Sequence, residues 1–266
     1  MRTSLFSGAG NLFVMVDGFE EGPISDPAGF ARELCAGGGP QRPDGLVILL
    51  PSTRGADCAM QIYNRDGSRP EACGNGLRCA AKLAVDRARV DQDAFTIETD
   101  SGIRKVRVSR QDGRVVAARV EMGRARIVER ETRIQLDRES IVATLVDVGN
   151  PHCVLLVEDE REAPVGILGP ALERHEHFSA GTNVEFLARR SGAFHLRVWE
   201  RGVGETLACG SGACAAVAVL RKRGEVDNEV AVTLPGGTLE IRWNGPGETL
   251  WMTGPATFVF EGEWHG

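Results

Sequence analysis

The sequence predicts an α+β fold made of two pseudo-symmetric domains, each with a curved β-sheet around a central helix. Three observations support this prediction. A segment in the first half of the 266-residue chain is repeated without a gap in the second half. Both halves consist mainly of short β-branched or alternating apolar runs bounded by turn residues, which is the pattern of strands. An alanine-rich, helix-forming stretch follows each copy of a repeated glycine pair.

The internal repeat has a spacing of about half the chain. Residues 62–80 align on residues 198–216 at an offset of 136 (209 minus 73). The paired motif is Ala72-Cys73-Gly74-Asn75-Gly76 with Ala208-Cys209-Gly210-Ser211-Gly212, and near the same offset residues 10–16 resemble 149–155 and residues 96–107 resemble 231–242. Such self-similarity indicates duplicated domains.

The strands are predicted in chain order from apolar runs between turns. They lie near residues 11–17, 46–50, 58–64, 94–99, 103–109 and 115–122, and then near 142–148, 152–158, 183–200, 229–234, 238–243 and 256–261. We place the boundary near residue 115. This gives an N-terminal domain of residues 1–115 and a C-terminal domain of residues 116–253, and we expect the C-terminal segment 254–266 to pack on the first domain.

Helical signals are fewer. Asp26-Pro27 is a typical helix start, and the glycine run 37–39 is expected to end that helix. Residues 170–177 are predicted as another helix, and the alanine-rich stretches after the two glycine pairs are predicted as one helix in each domain.

Composition excludes several classes of protein. No apolar run approaches the roughly 18 residues of a membrane span, and the N-terminus lacks a signal-peptide layout, so we expect a cytoplasmic protein. A net charge of −6 favours neither nucleic acid nor an anionic membrane as the main partner. Only three lysines are present, which leaves few places for a pyridoxal phosphate Schiff base. Seven cysteines without a C-x-x-C pair fit neither a disulfide framework nor the usual zinc spacings.

The repeated cysteine motif places Cys73 and Cys209 at or just before a helix N-terminus. Unpaired backbone N–H groups and the helix dipole are expected to lower a thiol pKa there, and the glycines allow a carboxylate to approach those N–H groups. The other five cysteines lack this setting, and we expect them to be small buried residues: Cys35, Cys58, Cys79, Cys153 and Cys214.

The repeated cysteine motif has three other interpretations: a dinucleotide-binding site, a cysteine hydrolase and a zinc site. Gly210 to Ala215 also fits a G-x-G-x-x-A dinucleotide pattern, but no strand precedes it. A cysteine hydrolase would need a histidine beside the thiol, and His152 is available for this role. Zinc is the weakest alternative, because the cysteine spacings are unusual and no histidine pair accompanies them.

A symmetric pair of thiols suits inversion at a carbon stereocentre. One group must remove a proton from one face while the other delivers a proton to the opposite face. The two groups must exchange roles in the reverse direction, which two duplicated domains facing across a cleft can provide. The site must also neutralise the adjacent carboxylate and exclude water.

At this point the chain resembles the diaminopimelate epimerase family, nearly from end to end. The motifs that carry the resemblance are residues 8–11, 63–68, 72–79, 149–154, 181–186, 200–212, 234–237 and 252–256. The resemblance implies barrel-like sheets, an active site in the interdomain cleft, no cofactor and no metal, and a homodimer. It also implies interconversion of LL- and meso-diaminopimelate, a small-molecule amino acid of lysine and peptidoglycan biosynthesis.

Site residues follow from the resemblance position by position. Cys73 and Cys209 correspond to the two acid–base residues. The residues expected to hold the reacting α-carboxylate are Gly74, Asn75, Gly210 and Ser211. The residues expected to bind the distal amino-acid end are Asn64, Asn150, Asn183, Glu200 and Arg201, with Asn11 lining the site.

One departure from the family is visible, since Leu12 stands where the family usually has an aspartate. The change is either neutral or a sign of an altered substrate, and we favour the neutral interpretation because the distal-end residues are in place. The nearest alternative is a two-thiol racemase of another amino acid, such as proline or hydroxyproline. The Glu200-Arg201 pair argues against it, because a simple amino acid has no second charged end. A binding protein is a further alternative, but it would have no use for two activated thiols.

Overall fold

A computed structural model describes residues 1–36, 42–70, 73–137 and 139–265. The chain divides into two compact units, one of residues 1–121 with 253–266 and the other of residues 122–252. The boundary predicted near residue 115 falls inside a strand, and the division lies nearer the end of that strand. Apolar periodicity carries no signal for such a boundary, because it continues through the strand.

The elements have the following bounds. The first unit contains β1 (Arg2–Gly8), β2 (Asn11–Asp17), α1 (Gly18–Glu21), α2 (Pro27–Leu34), β3 (Gly45–Leu50), β4 (Cys58–Asn64), α3 (Gly74–Asp86), β5 (Ala94–Thr99), β6 (Gly102–Gln111) and β7 (Arg114–Arg124). The second contains β8 (Arg126–Gln135), β9 (Ser140–Asp147), β10 (Pro151–Val157), α4 (Val165–Glu173), β11 (Asn183–Arg190), β12 (Ala193–Glu200), β13 (Gly204–Thr206), α5 (Gly210–Arg223), β14 (Glu229–Leu234), β15 (Gly237–Arg242) and β16 (Thr249–Pro255). The last strand, β17 (Thr257–Glu263), returns to the first unit.

The sheet of the first unit runs in the order β17-β1-β2-β3-β4-β5-β6-β7. The pairs β2–β3 and β4–β5 are parallel, and all the others are antiparallel. Helix α3 packs against β1, β2, β3, β4 and β6, so the sheet curves around it. A separate apolar cluster, which includes Val16, Leu46 and Ile48 of the sheet, packs against Ala31 of α2.

The second unit repeats this topology, in the order β8-β9-β10-β11-β12-β14-β15. Its parallel pairs, β10–β11 and β12–β14, stand at the equivalent places in the order. Helix α5 packs against β9, β10, β11 and β15. The predicted α+β fold of two similar sheets, each around a central helix, is confirmed.

The two central helices are almost entirely buried, although α3 carries two cations. Arg78 is 0% exposed, and its Nε donates to the Pro255 carbonyl at 3.2 Å. Lys82 donates to the Val115 carbonyl at 2.7 Å and pairs with Asp86 at 2.8 Å. Buried charges are tolerated when they are paired in this way. Helix α5 instead buries small residues from Gly212 to Ala218, which allow a close approach of the sheet.

Several predicted elements need correction. The run 183–200 is two strands that turn at Ser191-Gly192, both with positive φ. The helix predicted at 170–177 is α4, which begins after Pro164 and contains Pro170 in its interior. Asp26 caps α2 as predicted, but the helix ends at Leu34, and the glycine run 37–39 lies outside the described residues. Strands β1, β8, β13 and β16 were not predicted. In the part of the chain that the structure describes, no helix is long and apolar enough to cross a membrane.

Candidate active site

Cys73 caps the N-terminus of α3 in the first unit. Its backbone is extended, with φ −145° and ψ 93°, and its Sγ accepts a hydrogen bond from the Gly76 N–H at 3.3 Å. Gly74 and Asn75 form the first turn and are buried, whereas Cys73 itself is partly exposed. Ala72, the first residue of the predicted motif, lies outside the described residues. The helix start thus places a thiol beside backbone N–H groups that have no hydrogen-bond acceptor within the helix.

A chain of polar side chains runs from this helix start to Arg65. Asn75 Nδ2 donates to Asn11 Oδ1 at 2.6 Å, and Asn11 Nδ2 donates to Asp44 at 3.3 Å. Asp44 also accepts the Leu12 N–H at 2.9 Å and forms an ion pair with Arg65. Asp44 was not predicted from the sequence. It fixes the orientation of Asn11, and therefore that of Asn75.

Two other predicted positions of the first unit have local roles. The Asn64 side chain donates to Ser68 Oγ at 3.0 Å within the turn that follows β4. This hydrogen bond joins Asn64 to its own turn rather than to Asn11 or Asn75, which belong to the same predicted site. Leu12 is partly buried and packs against the apolar core, which accounts for an apolar residue at this place.

Cys209 caps the N-terminus of α5 in the second unit, at the equivalent place, with φ −119° and ψ 110°. It is only 4% exposed, and its Sγ lies 3.6 Å from Ser211 Oγ. Burial raises the pKa of the Cys209 thiol well above its usual value, and the carboxylates of Glu200 and Glu185 raise it further. The predicted lowering of the pKa is therefore wrong for Cys209. Its helix start is buried beside two acidic groups, a fact that the local sequence does not reveal.

Glu200 and Arg201 lie at the end of β12. A carboxylate oxygen of Glu200 accepts the Thr206 hydroxyl. Burial raises the pKa of Glu200, while hydrogen bonds from Thr206 and Cys209 lower it. Glu200, which was predicted to bind the distal end of the substrate, thus lies beside the thiol. The guanidinium of Arg201 donates to the Ala180 carbonyl at 3.1 Å.

Asn183 at the start of β11 links two segments of the second unit. Its Nδ2 donates to the Pro151 carbonyl at 2.8 Å, and its Oδ1 accepts the Arg201 N–H at 3.0 Å. The amide therefore fixes the turn that carries Arg201 relative to the start of β10. The structure gives Asn183 this positioning role, and the substrate contact expected from the sequence stays a prediction.

His152, Glu185 and Asn150 form a second polar chain. His152 Nδ1 lies 2.6 Å from Glu185 Oε1, and His152 Nε2 lies 3.0 Å from Asn150 Oδ1. Burial raises the pKa of Glu185, and the nearby His152 partly lowers it. Sequence reasoning singled out His152 only as a hydrolase candidate and missed Glu185, although the 181–186 motif contains it.

Glu173 at the end of α4 was also missed. One of its carboxylate oxygens accepts the Trp199 indole N–H at 2.7 Å, and the other accepts the Gly202 N–H at 2.7 Å. A Cβ atom on Gly169 would lie 2.5 Å from the indole ring, so only glycine leaves room for Trp199 there. Glu173 therefore holds the chain on both sides of Glu200-Arg201.

The other five cysteines are buried, as predicted. Burial raises the pKa of the Cys35 thiol to about 11 and that of Cys58 and Cys79 to about 12. It also raises the pKa of Cys153, and Cys214 is 0% exposed inside α5. Thiols with such pKa values stay protonated at neutral pH and are poor nucleophiles. Only Cys73 and Cys209 combine a thiol with a helix start and with neighbouring polar side chains.

No group of three His, Cys, Asp or Glu side chains is arranged to hold a metal ion within residues 1–36, 42–70, 73–137 and 139–265. Thiol groups such as those of Cys73 and Cys209 are able to accept and donate protons. The helix starts can bind an anion through their N–H groups.

The fold is similar to that of a solved structure of another protein. A solved structure of a probable proline racemase from Agrobacterium radiobacter K84 superposes with a TM-score of 0.75 at 17% identity, covering 99% of this chain and 92% of that one. The class is therefore a two-unit α+β fold of the proline racemase type. At this identity the likeness shows the fold alone.

Sequence comparison defines the family. Residues 3–128 and 144–259 match the family model described as Diaminopimelate epimerase. A diaminopimelate epimerase from Desulfitobacterium hafniense is 41% identical over 275 residues, covering 96% of this chain and 95% of the relative. One from Moorella thermoacetica is 41% identical over 270 residues, covering 96% of each. The chain belongs to the diaminopimelate epimerase family, and the predicted resemblance is confirmed.

Proposed function

We propose that the protein is an isomerase that interconverts LL- and meso-2,6-diaminopimelate without a cofactor, in the biosynthesis of lysine and peptidoglycan precursors. One observation carries this proposal. Cys73 and Cys209 cap the two buried central helices at equivalent places in the repeat. Membership of the family supports diaminopimelate as the substrate, because relatives of 41% identity bear that name.

The proposed reaction moves one proton off Cα and another onto it. A cysteine thiolate takes the Cα proton, an S–H bond forms, and the electron pair of the C–H bond remains on Cα and its carboxylate. The second cysteine then gives its thiol proton to the opposite face of Cα and is left as a thiolate. Because the two epimers are close in free energy, each cysteine serves as base in one direction and as acid in the other.

The helix starts are proposed to stabilise the carbanion. Backbone N–H groups of Gly74 and Asn75 in α3, and of Gly210 and Ser211 in α5, would bind the α-carboxylate on which negative charge develops. Peptide dipoles at a helix N-terminus favour such an anion. Donors that are already in place need no reorganisation during the reaction.

The protonation state of Cys209 suits the acid role. Since burial and two carboxylates raise the pKa of its thiol, Cys209 holds its proton in the resting enzyme. In this state Cys209 can deliver a proton to Cα, and Cys73 would be the base for that direction of the reaction.

The distal amino-acid end of the substrate is proposed to bind the amides and charges described above. Arg201 would pair with the distal carboxylate and Glu200 with the ammonium group, while four asparagines supply amide hydrogen bonds. Those asparagines are Asn11, Asn64, Asn150 and Asn183. The repeat keeps the two thiols alike but places Asn64 opposite Glu200, as an unsymmetrical substrate requires.

A homodimer is proposed from an exposed apolar strand. In β17, Phe258 and Phe260 point to one face of the strand and are 47% and 56% exposed, and Val259 on the other face is 47% exposed. Contiguous exposed apolar residues on a strand are typical of an interaction surface. We further propose a cytoplasmic location, where thiols are kept reduced, as this reaction needs.

The test is to incubate the enzyme with LL-diaminopimelate in D2O and follow stereochemistry and deuterium uptake together. Wild type should form the meso isomer with deuterium at one Cα. Cys73→Ala and Cys209→Ala should each lose epimerisation, while the matched variants Cys79→Ala and Cys214→Ala in the same helices should keep it. Near wild-type epimerisation by either of the first two variants would overturn the two-thiol mechanism.

A second measurement separates the main proposal from a proline or hydroxyproline racemase, the reaction type suggested by the structural neighbour. The ratio kcat/KM is compared for LL-diaminopimelate, proline, 4-hydroxyproline and lysine. Proline lacks the distal group, so the charged hydrogen bond proposed between that group and Arg201 would be lost, at a cost of roughly 1.5 to 3 kcal/mol. Diaminopimelate should have the highest kcat/KM, and a higher value for proline would favour the racemase.

A further inference from the structure

Glu185 is a buried acid to which the proposed mechanism assigns only an effect on the pKa of the Cys209 thiol. Glu185 on β11 and His152 on β10 lie on adjacent parallel strands, two residues apart in register, and both side chains are 0% exposed. Glu185 Oε1 lies 2.6 Å from His152 Nδ1. A contact this short between an imidazole and a carboxyl group is a strong hydrogen bond.

The second ring nitrogen fixes the position of the proton. His152 Nε2 lies 3.0 Å from Asn150 Oδ1. A carbonyl oxygen only accepts hydrogen bonds, so Nε2 must carry a hydrogen. The contact between Nδ1 and Glu185 is then bridged by a single proton, on either atom. In both cases Glu185 stabilises the form of His152 that donates from Nε2 to Asn150.

Packing alone does not explain an acid at this position. Glu185 Oε2 is buried and accepts no hydrogen bond from the part of the chain that the structure describes. A buried carboxyl oxygen without a partner costs free energy, and an apolar side chain of similar size would avoid that cost. Gly212 makes room for the carboxyl group, since a Cβ atom there would lie 2.9 Å from Oε1.

We propose that Glu185 is a positioning residue for substrate binding: through His152 it holds the Asn150 amide with its NH2 group directed toward a carboxylate of the substrate. This inference rests on the proposed function, in which Asn150 binds the substrate. With Oδ1 engaged by His152, the donor end of the amide lies on the opposite side. If His152 were instead a neutral imidazole with its one ring hydrogen on Nδ1, Nε2 would carry no hydrogen and would accept one from the Asn150 NH2 group. The amide oxygen of Asn150 would then face the substrate carboxylate.

The first measurement does not depend on activity. In the full-length enzyme labelled with 15N-histidine, the ring nitrogen signals of His152, assigned by comparison with His152→Gln, report which nitrogens carry hydrogen. Wild type should show a protonated Nε2. Glu185→Leu should lose this preference, whereas Glu185→Gln should keep it by donating an amide hydrogen to Nδ1. A bare Nε2 in wild type would overturn the proposal even if the enzyme epimerises diaminopimelate as proposed.

The second measurement is the split between KM and kcat. Glu185→Leu should raise KM for LL-diaminopimelate at least tenfold and lower kcat less than threefold, and Glu185→Gln should restore KM to within threefold of wild type. In an Asn150→Ala background, Glu185→Leu should have no further effect on KM. An unchanged KM in Glu185→Leu, or an equal additional increase in the Asn150→Ala background, would refute the proposed chain of contacts.

A matched control is available in the same unit. Glu160 is 6% exposed and pairs with Arg190 at 2.9 Å, away from His152 and Asn150. Glu160→Leu should lower thermal stability without changing KM, which separates positioning from a general loss of packing. A rise in KM for Glu160→Leu equal to that for Glu185→Leu would overturn the proposal. If Glu185→Leu fails to fold, the 15N measurement on wild type and Glu185→Gln still decides the matter.

Discussion

Replacement of Gly212 by alanine tests the packing of the buried acid directly. The new Cβ atom would lie 2.9 Å from Glu185 Oε1 and 3.4 Å from Cys209 Sγ, where ordinary contacts begin at 3.4 Å. The carboxyl group must therefore move by about half an ångström, and with it the short contact to His152. Overpacking of this kind costs roughly 1 to 3 kcal/mol. The better helix propensity of alanine returns up to about 1 kcal/mol.

The net expected loss for Gly212→Ala is thus about 0 to 2 kcal/mol in the free energy of unfolding. Two glycines of the same chain serve as controls. At Gly76, the equivalent position of the repeat, the obstacle is the mobile end of Ile62 at 2.8 Å, so the cost should be smaller. At Gly166 in α4 nothing lies within 4 Å, and alanine should stabilise the protein by about 0.5 to 1 kcal/mol.

The assay is urea unfolding of the three variants beside wild type, followed by circular dichroism, with the transition midpoint and slope fitted separately. The expected order of stability is Gly166→Ala, then Gly76→Ala, then Gly212→Ala. If Gly212→Ala were as stable as Gly166→Ala, a rigid carboxyl group could not lie against that helix turn. The reasoning about Glu185 would then fail at its structural basis.

Three further outcomes are expected. Glu200→Gln should lower the pKa of the Cys209 thiol, because a neighbouring carboxylate that raises it is gone; in a Cys73→Ala background, iodoacetamide should alkylate Cys209 at lower pH, and an unchanged pH profile would contradict the assigned cause. Arg201→Met should raise KM for LL-diaminopimelate about tenfold, equivalent to the roughly 1.4 kcal/mol of a charged hydrogen bond; unchanged steady-state kinetics would remove Arg201 from the site. Phe260→Asp should convert the proposed dimer to a monomer in sedimentation velocity, and an unaltered mass would place the interface elsewhere.

The sequence predicted the central part of each sheet because apolar periodicity and the repeat agree there. Strand β8 was missed because most of its residues are exposed and charged, so no alternation is visible in residues 126–135. Strand β1 was missed because small polar residues interrupt its apolar pattern. Helix α4 was displaced because Pro170 was taken as a helix start, whereas the chain uses Pro164 there.

The positions of Cys73 and Cys209 at helix starts were predictable, because the glycine motif and the following alanines are local signals. The partners of the site residues were not. His152 and Glu185 are 33 residues apart and meet only through the register of two parallel strands. The raised pKa of Cys209 depends on burial and on Glu200, which lies on a different element. Such properties arise from tertiary packing, about which local sequence patterns carry no information.

The pairing of β17 with β1 has a consequence for the kinetics of folding. It joins residues at opposite ends of the sequence, such as Arg2 with Glu263, and the Met1 amino group donates to the Trp264 carbonyl at 2.9 Å. The first unit is therefore discontinuous in sequence, while residues 122–252 form a continuous unit. During synthesis, the second unit can acquire its native contacts before β17, the strand that pairs with β1, has been made. Contacts of such high sequence separation form slowly, so closure of the first sheet is expected to be the last and rate-limiting event.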